Sequence, residues 1–238
     1  MRPISSVDCL RLWERGLQMH RLDQGLLALS AALPETAHGE LPDWPLGRSN
    51  RALAELHCAS FGPDLNGRIS CPECAENLEF QMDARSLLET QADLDARVHL
   101  GQHSFRLPTT RDLARLAGNL DPSGAVKKLV ELCRTDAGGD PDCRADQVSE
   151  EELEEIGERM SAADSLAEIR LSFACARCGH QWRENLDLAA FLWIEIEARA
   201  KRLLREVHTL AAAYGWAEGE ILSLSDPRRA RYLEMVRE

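Results

Sequence analysis

The chain has 238 residues, a formal net charge of -12 and 44% hydrophobic residues, which is enough apolar material for one large domain or two small ones. Because contacts to phosphate require a basic surface, this acidic balance argues against nonspecific nucleic-acid binding. No run approaches the roughly 20 apolar residues that span a bilayer, and the first residues lack the apolar centre of a signal peptide, so we expect a soluble, cytoplasmic protein.

Two helices are predicted in the N-terminal part of the chain. Leucines recur at helical spacing through residues 7–35, and a shorter helix is predicted over 50–61, ended by the glycine that follows. Ser49 or Asn50 is expected to cap the second helix with its side-chain oxygen. Residues 1–66 are therefore predicted to form an N-terminal helical region.

Four of the eight cysteines form two CxxC pairs, Cys71 with Cys74 and Cys175 with Cys178. Each pair lies beside an alternating apolar run that is typical of a β-strand. Two intervening residues let both sulfurs of a turn face one ion, and two such turns at the tips of β-hairpins place four thiolates tetrahedrally around zinc. The sequence therefore predicts one structural Zn²⁺ ion bound by these four residues.

Other uses of the cysteines remain open. A thioredoxin-like dithiol normally uses one CxxC after a βαβ pattern, disulfides require an oxidising compartment, and an iron–sulfur cluster would also take four cysteines. His180 could replace one thiolate, and Cys133 with Cys143 could form a second, weaker site. Because four thiolates close the coordination shell, the metal is expected to be structural and not catalytic.

The two cysteine pairs are far apart, with 101 positions from Cys74 to Cys175, against a usual gap of about 15–20 residues. The ribbon is therefore predicted to be discontinuous, built from 67–82 and 169–186, with 83–168 inserted between its halves. The expected fold is α+β and mainly helical. It consists of a discontinuous zinc ribbon of short antiparallel strands, an inserted segment and a C-terminal helical unit.

The inserted region is predicted to be an α/β segment that contains an acidic helix. A strand is expected over 96–108, followed by two short helices, the first with Thr109 and Asp112 in capping-box positions. Residues 136–168 hold twelve acidic and two basic residues, so they account for ten of the chain's twelve net negative charges. Ser149 is expected to cap a helix within this block.

The exposed face of that acidic helix is predicted to dock a partner. Leu153, Ile156 and Met160 form a narrow apolar stripe at helical spacing. The carboxylates predicted to face the partner are Glu151, Glu154, Glu155 and Glu158. A solvated helix face without a partner is the alternative interpretation.

The C-terminal unit, residues 187–238, is predicted to contain one long helix and two short ones. Apolar residues recur every three or four positions from Leu192 to Tyr214, and Gly215 is expected to end the long helix. The residues of this unit predicted to contact a partner are Trp216, Arg228 and Arg229.

Three stretches, 106–118, 149–182 and 192–233, carry a resemblance to known proteins. The chain resembles, over nearly its whole length, bacterial proteins encoded in loci for phage-tail-like contractile injection systems. Over 85–235 it is also distantly similar to the baseplate hub assembly chaperones of T-even phages, which lack the cysteine pairs. The resemblance implies a non-enzymatic role in building a contractile-tail baseplate, with baseplate, hub or spike proteins as partners.

The predicted function is a zinc-stabilised assembly chaperone or adaptor that uses neither a small-molecule substrate nor a membrane. No phosphate-binding glycine loop, nucleophile elbow or HExxH motif is present, so we expect a protein that is not an enzyme. One alternative is a structural baseplate component that stays in the particle. Another is a zinc-ribbon regulator that binds nucleic acid through the basic residues of 199–231.

Overall fold

A computed structural model describes residues 1–36, 39–89, 96–117, 121–135 and 149–237. The fold is α+β and mainly helical, as predicted. Its helices are α1 (Ser6–Gly16), α2 (Arg21–Ala32), α3 (Leu46–Phe61), α4 (Arg85–Leu88), α5 (Thr110–Leu116), α6 (Pro122–Cys133), α7 (Glu150–Ala163), α8 (Leu188–Tyr214), α9 (Glu218–Ser223) and α10 (Asp226–Arg237). Within the described ranges, no helix has both the length and the apolar character needed to cross a membrane.

All sheets in the described part of the chain are two-stranded antiparallel hairpins. The strands are β1 (Asp64–Ser70) with β2 (Asn77–Asp83), β3 (Arg97–Leu100) with β4 (His103–Arg106), and β5 (Arg170–Ala174) with β6 (Gln181–Asn185). The first and third hairpins carry the two CxxC pairs at their turns. They extend over 64–83 and 170–185, close to the predicted ribbon segments.

The long helix α8 forms the centre of the main core. Leu192, Ile196 and Leu203 are almost completely buried on one face of α8, and helices α1, α2 and α3 pack against it. The helix ends as predicted at Gly215, whose φ of 69° lies in the left-handed region that glycine adopts at low cost.

The single helical segment predicted over 7–35 is wrong, because the chain reverses between α1 and α2. Gly16, the last residue of α1, lies against the indole of Trp193, where an added Cβ would come within 2.0 Å of the ring. The imidazole Nδ1 of His20 then accepts a hydrogen bond from the N–H of Leu22 and caps α2. This reversal lets α1 and α2 pack side by side on α8.

The predicted cap of α3 at Ser49 or Asn50 is also wrong, because α3 begins earlier, at Leu46. Its first N–H groups are satisfied from far along the chain: Leu46 N donates to the carbonyl of Pro108 at 3.0 Å, and Gly47 N donates to the carboxylate of Asp164 at 2.9 Å. A carboxylate at a helix N-terminus is favourable for both its charge and its hydrogen bond. The inserted region therefore contributes to the start of α3.

The inserted region has a small core of its own. Val98, Phe105, Val130 and Ile156 pack together there, drawn from the β3–β4 hairpin, α6 and α7. The single strand expected over 96–108 is wrong, because the chain turns between β3 and β4.

Local signals in the inserted region are confirmed. Capping boxes form between Thr109 and Asp112 at the start of α5 and between Ser149 and Glu152 at the start of α7. The predicted apolar stripe of the acidic helix is buried against the small core.

Replacing Gly47 with alanine tests the contact between α3 and Asp164. The added Cβ would lie 1.7 Å from the buried Oδ1 of Asp164, so we expect the free energy of unfolding to fall by about 1–3 kcal/mol. Gly157→Ala is the matched control, because Gly157 lies on the exposed side of α7 with open space around its Cβ position. This change is expected to raise the free energy of unfolding by roughly 0.5–1 kcal/mol. Urea denaturation of both variants provides the measurement, and equal effects would contradict the described packing.

Candidate metal centre

The first CxxC turn, at the tip of the β1–β2 hairpin, folds back on its own first cysteine. The N–H of Cys71 donates to the carbonyl of Glu76 at 2.8 Å, and the N–H of Ala75 donates to the carbonyl of Cys71 at 2.9 Å. Ala75 has a φ of 56°, the left-handed conformation that costs a residue with a side chain about 1–2 kcal/mol. The turn therefore maintains a strained residue directly after Cys74.

The second CxxC turn, at the tip of the β5–β6 hairpin, repeats this geometry. The N–H of Cys175 donates to the carbonyl of His180 at 2.9 Å, and the N–H of Gly179 donates to the carbonyl of Cys175 at 2.9 Å. Gly179, with a φ of 74°, occupies the place that Ala75 holds in the first turn. Two distant segments thus form the same turn.

The four sulfurs meet between the two hairpins. All four Sγ atoms lie within 4.8 Å of one another. The Sγ atoms of Cys71 and Cys178 are 3.7 Å apart, and those of Cys74 and Cys175 are 3.6 Å apart. A tetrahedral ion with metal–sulfur bonds of about 2.3 Å would separate its ligands by about 3.8 Å. The arrangement therefore fits one metal ion held by four thiolates.

The distances also decide between the alternative uses of these cysteines. All four are free thiols, because a disulfide would bring two sulfurs to about 2.05 Å. An iron–sulfur cluster contains several irons and bridging sulfides, so its cysteine sulfurs stand farther apart than the edge of one tetrahedron. Sulfur contacts of 3.6 and 3.7 Å join the two hairpins, whereas a redox dithiol pairs the two cysteines of one CxxC.

The backbone of the turns supplies hydrogen bonds to the sulfurs. Backbone N–H groups of Cys178 and Arg177 lower the pKa of the Cys175 thiol to about 7, which favours the thiolate that binds metal. At Cys74 the N–H of Glu76 also lowers the pKa, but desolvation and hydrogen bonds with the other three thiols raise it overall to about 12. Cys175 is therefore readily ionised, whereas Cys74 would lose its proton on binding a cation.

Contacts outside the sulfurs join the two hairpins as well. Arg177 and Glu76, one from each turn, form an ion pair with an N–O distance of 3.1 Å. Behind the turns, the rings of Phe80 and Phe173 meet edge to face with centroids 5.4 Å apart. The interface between hairpins thus contains a charged contact, an aromatic contact and the sulfur cluster.

The other predicted ligands lie away from this cluster. The ring of His180 stacks on Trp182 with centroids 5.8 Å apart, and His180 is not part of the group of ligand atoms. Cys133 is completely buried in the small core of the inserted region, where burial raises the pKa of its thiol to about 12. Cys143 lies outside the described residues.

The four glutamates predicted to face a partner lie on the exposed side of α7. They are Glu151, Glu154, Glu155 and Glu158. Glu155 forms an ion pair with Arg159 of the same helix. The other three form no ion pair within the described residues, so their negative charges are not neutralised at the surface of α7.

The three predicted contact residues of the C-terminal unit differ in their surroundings. Trp216 is half-buried and stacks on Tyr214, with ring centroids 4.7 Å apart. Arg228 is exposed and lies over the ring of Tyr232 at 5.9 Å. Arg229 is only 3% exposed and pairs with Glu206 at 2.6 Å, so any contact with a partner would require its internal ion pairs to open.

One feature near the metal centre escaped the sequence reasoning. The rings of Trp182, Phe173, Phe80 and Phe191 form a row that crosses the two cysteine hairpins and ends on α8. The signal was Gly67, which pairs with Phe80 across the β1–β2 hairpin and leaves room for its ring. Recognising it requires the register of the hairpin, which depends on the turn.

Comparisons with known proteins find no counterpart for this chain. It matches no protein-family model, and searches of the curated proteins and of the solved structures find no significant match. The resemblance to injection-system proteins therefore stays a prediction.

The equivalent residues Gly179 and Ala75 provide a matched test of the turn geometry. Gly179→Ala places a side chain in left-handed backbone where no neighbouring atom obstructs it, so we expect the free energy of unfolding to fall by about 1–2 kcal/mol from conformation alone. Ala75→Gly removes the same strain and is expected to be neutral or stabilising by up to about 1 kcal/mol. Chemical denaturation of the metal-loaded protein measures both, and a stabilising Gly179→Ala would refute the shared geometry.

Proposed function

We propose that the four cysteines bind one structural Zn²⁺ ion and complete a discontinuous zinc ribbon. Tetrahedral coordination by four sulfurs is typical of structural zinc. The support is the sulfur cluster itself, which is formed by two turns of equal geometry from segments 101 positions apart. Cys71 and Cys175 are each 2% exposed, so the hairpins shield half of the ligand set from water.

A zinc ion in this site would have no open position for a substrate. Four thiolates complete its coordination, whereas a catalytic zinc keeps one position for water or substrate. The metal would instead hold the two hairpins together, with an apparent free energy on the order of 10 kcal/mol. The proposed metal role is therefore purely structural, in line with a protein that is not an enzyme.

We infer from this role that the protein is a non-enzymatic assembly chaperone or adaptor for the baseplate or hub of a phage-tail-like contractile injection system. Two features support the proposal beside the sequence resemblance. The acidic face of α7 carries Glu151, Glu154 and Glu158 without ion pairs in the described structure. The C-terminal unit exposes Tyr214, which stacks on the half-buried Trp216, and aromatic residues commonly anchor protein interfaces.

A nucleic-acid regulator is the weaker alternative because the basic residues of the C-terminal unit are mostly neutralised within the chain. Lys201 pairs with Glu197 at 2.7 Å and Arg229 with Glu206 at 2.6 Å. Ion pairs involve five of the seven candidate cations: Arg199, Lys201, Arg202, Arg229 and Arg231. Paired cations contribute little to the positive field that phosphates require.

Metal content and cysteine substitution test the zinc proposal. We expect about one zinc per chain by elemental analysis, as a single tetrahedral site requires. Cys74→Ser and Cys178→Ser should each release the ion and increase cleavage in limited proteolysis. Cys58→Ser is the control, because Cys58 is half-buried outside the cluster and should keep its zinc. A metal-free wild type of equal stability would rule the proposal out.

Co-purification from the native locus tests the assembly role. The triple change of Glu151, Glu154 and Glu158 to Gln removes the unpaired charges of α7, and we expect recovery of its baseplate, tube or spike partner to fall at least tenfold. Changing the exposed Glu14, Glu35 and Glu40 to Gln removes the same charge elsewhere and should leave recovery unchanged. No recovery of any such subunit with the wild type would contradict the proposal. Retention in finished particles would identify a structural component instead of a chaperone.

A further inference from the structure

The row of aromatic rings continues into an open groove between the two cysteine hairpins and the first turns of α8. We call this surface the aromatic groove and define it by Phe80, Phe173, Trp182, Phe191 and Ile194. Phe173 stacks on Trp182 with centroids 5.5 Å apart, and Phe80 meets Phe191 at 6.1 Å. Three of the five phenylalanines in the chain thus lie on one surface.

The aromatic groove lies outside the main core. Leu192 and Ile196 of α8 are buried in that core, whereas Ile194 is 62% exposed. A cavity of about 820 Å³ opens beside Phe80, Phe191 and Ile194. None of the four aromatic side chains is fully buried. Exposed apolar surface of this kind marks sites of binding in soluble proteins.

The shape of the groove depends on a glycine. An added Cβ at Gly67 would come within 2.4 Å of the Phe80 ring and 2.9 Å of Phe191. The ring of Phe80 therefore lies across the strand opposite it and forms the floor of the cavity, with Gly67 among the lining residues.

The charges around the groove favour a cationic ligand. Glu184 and Glu195 lie at its edge and form no ion pair within the described part of the chain. Of the nearby cations, Arg68 is paired with Glu79 at 2.8 Å, and Arg183 lies at the end of the groove beside Phe173 and Trp182. Segments 64–83 and 170–187 together hold seven acidic and four basic residues. An acidic edge beside an apolar floor complements a segment that combines large apolar side chains with lysine or arginine.

We propose that the aromatic groove binds a peptide segment of a partner protein in which a large aliphatic or aromatic side chain stands next to Lys or Arg. The apolar side chain packs against Phe191 and Ile194, while the cation pairs with Glu184 or Glu195. A nucleic acid would stack on the rings, but its phosphates would meet these carboxylates. A second copy of this chain would bring another net charge of -12 to an acidic surface.

This proposal deepens the adaptor function by naming a further docking surface, apart from α7 and Trp216, and the chemistry of its ligand. The groove proposal rests on the proposed function in one respect, because it assumes that the chain acts by binding other proteins. Peptide binding tests the groove, whereas co-purification with injection-system subunits tests the assembly role, so the two proposals can fail separately.

Selection from a phage-displayed library of random 12-residue peptides tests the groove on the full-length, zinc-loaded protein. The enriched peptides are expected to place aromatic, Leu or Ile residues beside Lys or Arg. Synthetic copies of them should bind with a Kd that rises at least tenfold for Ile194→Ser. Glu195→Gln should weaken binding several-fold and reduce its dependence on salt.

Leu204→Ser is the matched control for Ile194→Ser. Leu204 is 39% exposed on the same helix but ten positions away, about 15 Å along the axis, so this variant should leave the Kd unchanged. No enrichment, enrichment of acidic or purely polar peptides, or a Kd insensitive to Ile194→Ser would overturn the proposal. So would a labelled single-stranded oligonucleotide that competes with the peptide, or a wild-type dimer in sedimentation that Ile194→Ser converts to a monomer.

Discussion

The approach of four cysteine sulfurs to within 4.8 Å is the constraint on which the rest of this structure depends. It joins the hairpin that follows the N-terminal helices to the hairpin that precedes α8. Closing a loop of about 100 residues costs on the order of 4 kcal/mol in chain entropy. Thiolate coordination of zinc supplies roughly 10–16 kcal/mol, which offsets that cost with free energy to spare. A metal is thus sufficient to close so long a loop.

The inserted region is tied to the rest of the protein at a second place. Asp164, at the end of α7, accepts a hydrogen bond from Gly47 N, and the side chain of Asn50 donates to the carbonyl of Leu166 at 2.8 Å. Burial raises the pKa of Asp164, although backbone N–H groups, that of Gly47 among them, act in the opposite direction. The sulfur cluster and these hydrogen bonds together hold the C-terminal end of α7 against the rest of the protein. Its acidic face can then act as a surface for assembly, as we propose.

Features encoded by neighbouring residues were predicted from the sequence. The spacing of α8, the capping boxes at Thr109 and Ser149, and the alternation beside each CxxC pair depend only on residues within a few positions. The cysteine pairs were matched across 101 positions because metal ligands have a chemistry that few other residues share. The residues of the candidate metal centre could therefore be predicted from the sequence without knowledge of the fold.

Features that depend on residues far apart in the sequence were not predicted. The break between α1 and α2 follows Gly16, which lies against Trp193 of α8, and the first turn of α3 donates to a carboxylate 117 positions away. The aromatic groove forms only when the two hairpins meet. Local patterns carry no information about such contacts, since the same residues would satisfy many arrangements.

The most direct test of the account is X-ray absorption spectroscopy at the zinc edge of the purified protein. A shell of four sulfurs at about 2.3 Å, without nitrogen or oxygen, is the predicted result. A first shell containing nitrogen or oxygen ligands, or a protein that folds fully without bound metal, would contradict the claim that these four cysteines hold the structure together.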